Sequence, residues 1–172
     1  MKITLKLVFA IAAVALCSTI SAQNIKLAHI NLDELIVSMP EFDSAQVKLQ
    51  KFGQELQNEL ELLQVEVNRK QDEFSKNQAN WTDLVKQSRN DELMSLYQRY
   101  QTFQQQAQES YELEQQKLMQ PILEKANKAV ENVAKEQGIT YVFSANNQIL
   151  VFKAVGTLDL LPAVKNHLGI KK

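Results

Sequence analysis

Apolar residues recur at helical spacing through the middle of the chain. Leu49, Phe52, Leu56, Leu60, Leu63, Val67 and Phe74 follow one another in steps of 3, 4 or 7. A second series runs Leu93, Leu96, Tyr100, Phe103, Ala107, Tyr111, Leu118, Ile122, Ala126, Ala129, Val133. Such steps lay side chains along a single stripe of an α-helix. The pattern fades over Ser75-Lys-Asn-Gln-Ala-Asn80, where a turn is predicted. Two antiparallel helices follow, one over about 41–78 and one over about 82–137. At the usual rise they measure roughly 57 Å and roughly 84 Å. Outside the stripe the surface is Gln, Glu, Lys and Asn, with 18 Gln between residues 41 and 137. That composition suits an exposed arm with a narrow seam rather than a globule.

The flanks differ in character. Residues 25–32 (IKLAHINL) and 139–153 (ITYVFSANNQILVFK) are rich in β-branched and aromatic residues and read as strands. Asn146-Asn147 between two apolar runs predicts a β-hairpin turn, since Asn tolerates the left-handed conformation. Asn31 is a cap for a short helix over Leu32–Val37. Ser38-Met-Pro-Glu41 reads as a capping box opening the arm, with Pro40 in the first turn. Thr82 can cap the returning helix, and Gly138 ends it. A last short helix spans Asp159 to Leu168, closed by Gly169. Pro121 stands where 38 outgoing residues have been matched by 38 returning ones, and is read as the junction of arm and body. The alternative is an unbroken helix with a slight bend.

The expected architecture is therefore α+β. A small body of residues 23–40 and 121–172 carries an inserted helical-hairpin arm, 41–120. In Ile139–Phe143 and Ile149–Phe152 both strand faces carry apolar side chains and need cover on two sides. A body of about 70 residues is small for that, and cores of this size are marginal. Oligomerisation is one solution; a monomer with the arm base folded over the sheet is the other.

Composition adds direction. Gly and Pro number four and three in 172 residues, against roughly 20 expected from average usage. So few turn formers oppose a loop-rich enzyme. The formal net charge of −1 opposes a nucleic-acid grip, which needs a basic footprint. Met1 to Ala22 has the three-part pattern of a cleaved secretory signal: Lys2 and Lys6, an apolar run from Leu7 to Leu16, then Ser21-Ala22. Ten apolar residues are too few to span a bilayer. An uncleaved anchor and a lipoprotein signal at Cys17 are the alternatives. Cleavage after Ala22 leaves a chain of charge 17 − 20 = −3 without Cys17, the only cysteine. Disulfides, thiol nucleophiles and thiolate metal sites are then excluded.

No catalytic pattern emerges. His29 and His167 have no carboxylate or second His at metal-ligand spacing. Glycines at 53, 138, 156 and 169 cannot form a phosphate loop. The pairs Asp33-Glu34, Asp72-Glu73 and Asp91-Glu92 point about 100° apart on a helix and read as solvated faces. Asn80-Trp-Thr82 matches a glycosylation sequon and is read as turn chemistry. A non-enzymatic protein without cofactor or metal is expected.

The sequence resembles the Skp/OmpH family of periplasmic chaperones. The match lies in the signal segment, in Lys26-Leu-Ala-His-Ile-Asn-Leu-Asp-Glu-Leu35 with Met39-Pro40, and in the Gln-rich helical hairpin. It continues through Pro121-Ile-Leu-Glu-Lys-Ala-Asn-Lys-Ala-Val130, Ala134-Lys-Glu-Gln-Gly-Ile-Thr-Tyr-Val-Phe143 and the terminal Leu168-Gly-Ile170. The resemblance implies a homotrimer with a barrel-like β-body and three projecting arms around a cavity. It also implies an ATP-independent periplasmic holdase for unfolded outer-membrane proteins, with no stable membrane insertion of the mature chain. One departure is electrostatic. The best-known members are strongly basic with positive arm tips, whereas residues 69–90 here hold five basic against three acidic residues. Capture of clients or anionic lipid by charge should be weaker.

Client contact is expected to be diffuse, through Phe74, Trp81, Leu84, Leu93, Tyr97, Tyr100 and Phe103 on the inner arm face. For Leu93, Tyr100 and Phe103 the competing role is pairing the two helices. Trp81, at the tip, is the strongest single candidate. The rival function is a structural coiled-coil envelope protein, a spacer or assembly factor with one folded partner.

Overall fold

The computed structural model describes residues 25–145, 152 and 154–170. Three short strands form one sheet: β1 (Leu27–Ile30), β2 (Tyr141–Ser144) and β3 (Leu158–Asp159), in the order β2-β1-β3. Both pairings are parallel, with His29 level with Phe143 on one side and with Asp159 on the other. Between β1 and β2 run α1 (Leu32–Val37), α2 (Pro40–Asn77), a 3₁₀ turn over Gln78–Asn80, and α3 (Asp83–Glu136). A last helix, α4 (Leu161–His167), follows β3. The expected α+β arrangement, with a long helical hairpin between strands, is present.

Local chemistry explains most element ends. Asn31 caps α1 through its side chain, which accepts from the Glu34 N–H at 3.1 Å. Gly138 sits at a φ of 63°, a conformation that penalises a Cβ. There the Ile139 N–H reaches Ala134 O at 2.9 Å and the Gly138 N–H reaches Lys135 O at 3.1 Å, closing α3 as a Schellman motif.

Four expectations need correction. Ser38 does not open α2: its hydroxyl donates to Leu35 O at 2.7 Å and so closes α1. Met39 holds the cap position of α2 without a side-chain bond, and Glu41 turns to Lys125 instead. Pro121 breaks nothing, because α3 runs through it from Asp83 to Glu136; packing on both sides outweighs the one lost hydrogen bond. The terminal helix starts at Leu161, since Asp159 belongs to β3 and its carboxylate accepts the Leu161 N–H at 2.9 Å. Thr82 occupies the cap position of α3 but its hydroxyl makes no capping bond. The Asn146-Asn147 turn and residues 149–151 of the expected hairpin lie outside the described residues. Phe152 is described and is not in a strand.

The core gathers distant segments. Ala28 and Ile30 point from one face of β1 onto Leu35, Met39, Ala126, Val133, Leu160 and Val164. Leu35, Met39, Leu160 and Val164 are fully buried. On the opposite sheet face His29 is buried, but its apolar neighbours are not. On it Leu27, Tyr141 and Phe143 are 53%, 58% and 50% exposed.

Candidate functional site

The hairpin owes its form to a thin seam. Over residues 46–77 of α2 only Leu63 and Val67 are buried, and over 83–121 of α3 only Ala107. Gly53 lies beneath the Tyr111 ring: a Cβ there would come within 3.1 Å of Tyr111 Cε2. The glycine thus lets an aromatic ring lie against the α2 backbone. Farther out, Tyr97 donates its hydroxyl to Gln71 Oε1 at 2.8 Å, tying the helices together. Glu92 accepts from Arg89 at 2.9 Å and 3.2 Å and faces Lys70 across the seam at 3.5 Å. The Arg89 guanidinium, with Lys70 behind it, holds the Glu92 carboxyl below its ordinary value.

At the tip, Phe74 and Trp81 meet edge to face, with centroids 5.7 Å apart and rings inclined by 69°. Such a contact suits the quadrupoles of the two rings. Trp81 is half-buried, so part of the indole at the tip is covered and part remains open to solvent. Leu84, one turn on, is 79% exposed. Leu93, Tyr97, Tyr100 and Phe103 are half-buried along the seam side of α3. The seven candidates therefore share the distal hairpin, in two groups. Phe74, Trp81 and Leu84 form the tip; the other four line the returning helix. Exposed apolar residues off the stripe escaped the sequence reading, among them Leu62, Val65, Met94 and Leu113. Their only sequence signal is that they fall outside the 3.6-residue pattern.

Nothing in these surroundings resembles a reaction centre. Among the described residues no group of three or more His, Cys, Asp or Glu could hold a metal ion. His29 is buried in β1 with Nε2 lacking a hydrogen-bond partner, and its nearest carboxylate, Asp159 Oδ2, is 3.9 Å away. No described helix is long and apolar enough to cross a membrane.

A family model for outer membrane protein (OmpH-like) matches residues 26–168. The chain belongs to the OmpH-like, or Skp, family. The match runs from the residue before β1 to the one after α4, so it includes strands, hairpin and terminal helix together. Members of this chaperone family are not enzymes, which accords with the reading of the residues. Among solved structures, the fold is similar to that of a candidate outer membrane chaperone (OmpH-like) from Caulobacter crescentus CB15. The TM-score is 0.73 at 13% identity, over 84% of this chain and 83% of that one. A search of curated proteins finds no match.

Proposed function

We propose that this OmpH-like chain is an exported, ATP-independent holdase that keeps unfolded outer-membrane proteins soluble in the periplasm. Residues 1–22 act as the cleaved signal, residues 41–120 as the arm, and residues 23–40 with 121–172 as the body. The body assembles three copies through its open sheet face, so that three arms surround a cavity. The observation that carries this reading is the contrast between the two sheet faces: one is packed on helices, the other leaves Leu27, Tyr141 and Phe143 half exposed. Contiguous apolar surface of that kind marks an interaction site. Clients are held by many weak contacts along the arms, with Phe74, Trp81 and Leu84 at the tip and Leu93, Tyr97, Tyr100 and Phe103 on the way back. Weak contacts in number bind without a sequence code and release without fuel.

The test is aggregation of several unrelated unfolded β-barrel proteins, followed by light scattering with and without the mature chain and in the absence of nucleotide. Suppression of all of them is expected. If the chain protects none, or one folded partner alone binds, the spacer function replaces this one. Trp81→Ala with Leu84→Ala should weaken client affinity; unchanged affinity would remove the tip from the binding surface.

A further inference from the structure

Immediately before β3 the chain makes a β-turn, Ala154-Val155-Gly156-Thr157. Thr157 closes it twice: its N–H reaches Ala154 O at 3.4 Å, and its hydroxyl donates to the same oxygen at 3.1 Å. Gly156 has a φ of 91°, the left-handed conformation that the third residue of a type II turn requires. Val155 therefore stands second in the turn, at its apex, and its side chain is fully exposed. Such positions favour Pro, Gly, Asn, Asp and Ser, for backbone geometry and local hydrogen bonding. A β-branched apolar side chain contributes to neither. Beside the turn, on the open sheet face, lies a hollow of about 290 Å³. Leu27, Phe143 and Phe152 supply its apolar walls and are each at least half exposed. Ala154 and Thr157, the two ends of the turn, also line it.

We infer that the Val155 apex of one copy seats in the hollow of the next, so that each subunit completes its neighbour's apolar site. Knob and hollow belong to one chain, yet Val155 does not fill the hollow beside it, since its side chain is fully exposed. A second copy carries the matching part for both. A lipid tail or another apolar ligand would occupy the hollow but leave the valine in water. Only a copy of this chain removes both surfaces from solvent, which is where the stabilisation lies. Such a contact is heterologous, one surface of the first copy against a different surface of the second. It propagates from copy to copy until rotation closes a ring. Knob and hollow are neighbours on the open sheet face, so the contacts of a three-membered ring gather near its axis. The inference rests on the proposed assembly of three copies through this face, and names the residue that each copy contributes.

The experiment is disulfide trapping in the mature protein, which has no cysteine once the expected signal, with Cys17, is removed. A bridge forms only where two Cα atoms come within about 7 Å. Val155→Cys combined with Leu27→Cys should therefore oxidise to a covalent trimer on a non-reducing gel, while each single substitution should leave single chains. No trimer band, or equal linking in the single variants, would overturn the inference. Light scattering of Val155→Asp gives an independent reading. The side chain supports nothing in its own chain, so this variant should keep its helical circular dichroism and yet have the mass of one chain. A wild type of two chains would overturn the ring. So would uptake of dodecanol into the hollow of an assembled wild type, because the site would then stand open. If the wild type and Val155→Asp both have three chains, only the Val155 contact fails; if the wild type is a single chain, the assembly reading fails with it.

Discussion

The sheet-centred core and the distal hairpin are held together by different means. In the core, β1, α1, α3, β3 and α4 converge from across the sequence, and Leu35, Met39, Leu160 and Val164 lose essentially all contact with solvent. In the distal hairpin two helices meet along one line, with Leu63, Val67 and Ala107 as its buried residues. Burial energy scales with apolar area removed from water. The core is therefore a cooperative unit, whereas the hairpin depends on helix propensity, side-chain pairs and a thin seam. Apolar residues that the hairpin fold does not bury, such as Leu62, Val65 and Leu113, therefore remain exposed along it.

Substitutions can break this contrast in order of size. Leu160→Ala, in the core, should cost about 2–5 kcal/mol, read as the loss of stability in chemical denaturation. Gly53→Leu, in the hairpin, should cost about 1–3 kcal/mol by overpacking against Tyr111. Combining it with Tyr111→Ala should recover part of that loss, since the clash is with that ring. A cap comparison is finer. Asn31→Ala removes an observed capping bond and should cost about 1 kcal/mol. Thr82→Ala removes none and should leave stability nearly unchanged.

Acid should produce the smallest and latest effect. The carboxyls of Glu41, Glu92 and Glu131 are held below the ordinary 4.5 by Lys125, by Arg89 and by Lys135 with Lys128. For groups lowered in the folded state, the stabilisation is fully present above that ordinary value and is lost as pH falls through the depressed one. Thermal melting should be insensitive to these groups between pH 7 and pH 5, about where carboxylates begin to titrate. Below that the melting temperature should fall, and Glu92→Gln should blunt the fall only slightly because Glu92 is solvent-screened.

Much of this division was legible in the sequence because periodicity reports directly on helices. The boundaries of α2 and α3 fall within a residue or two of those expected, since the apolar stripe, Pro40 and Gly138 carry local information. Asn31 likewise announced its own cap. Ser38 misled, because a hydroxyl between two helices can serve either, and here the carbonyl of Leu35 lay nearer. β3 was missed for a different reason. Two residues carry no period, and Asp159 joins the sheet through its register with His29, a contact spanning most of the chain. The hollow beside Val155 was equally hidden. Leu27 and Phe143 are far apart in sequence and share its wall only because β1 and β2 pair in the sheet.

The central claim is that the open face of the sheet, with Leu27, Tyr141 and Phe143, joins copies of the chain and thereby sets arms around a cavity. Native mass of the mature protein, by sedimentation or light scattering, addresses it directly. The wild type should have three times the mass of the mature chain, and Phe143→Asp should be a folded single chain. A wild-type monomer at working concentrations would contradict it.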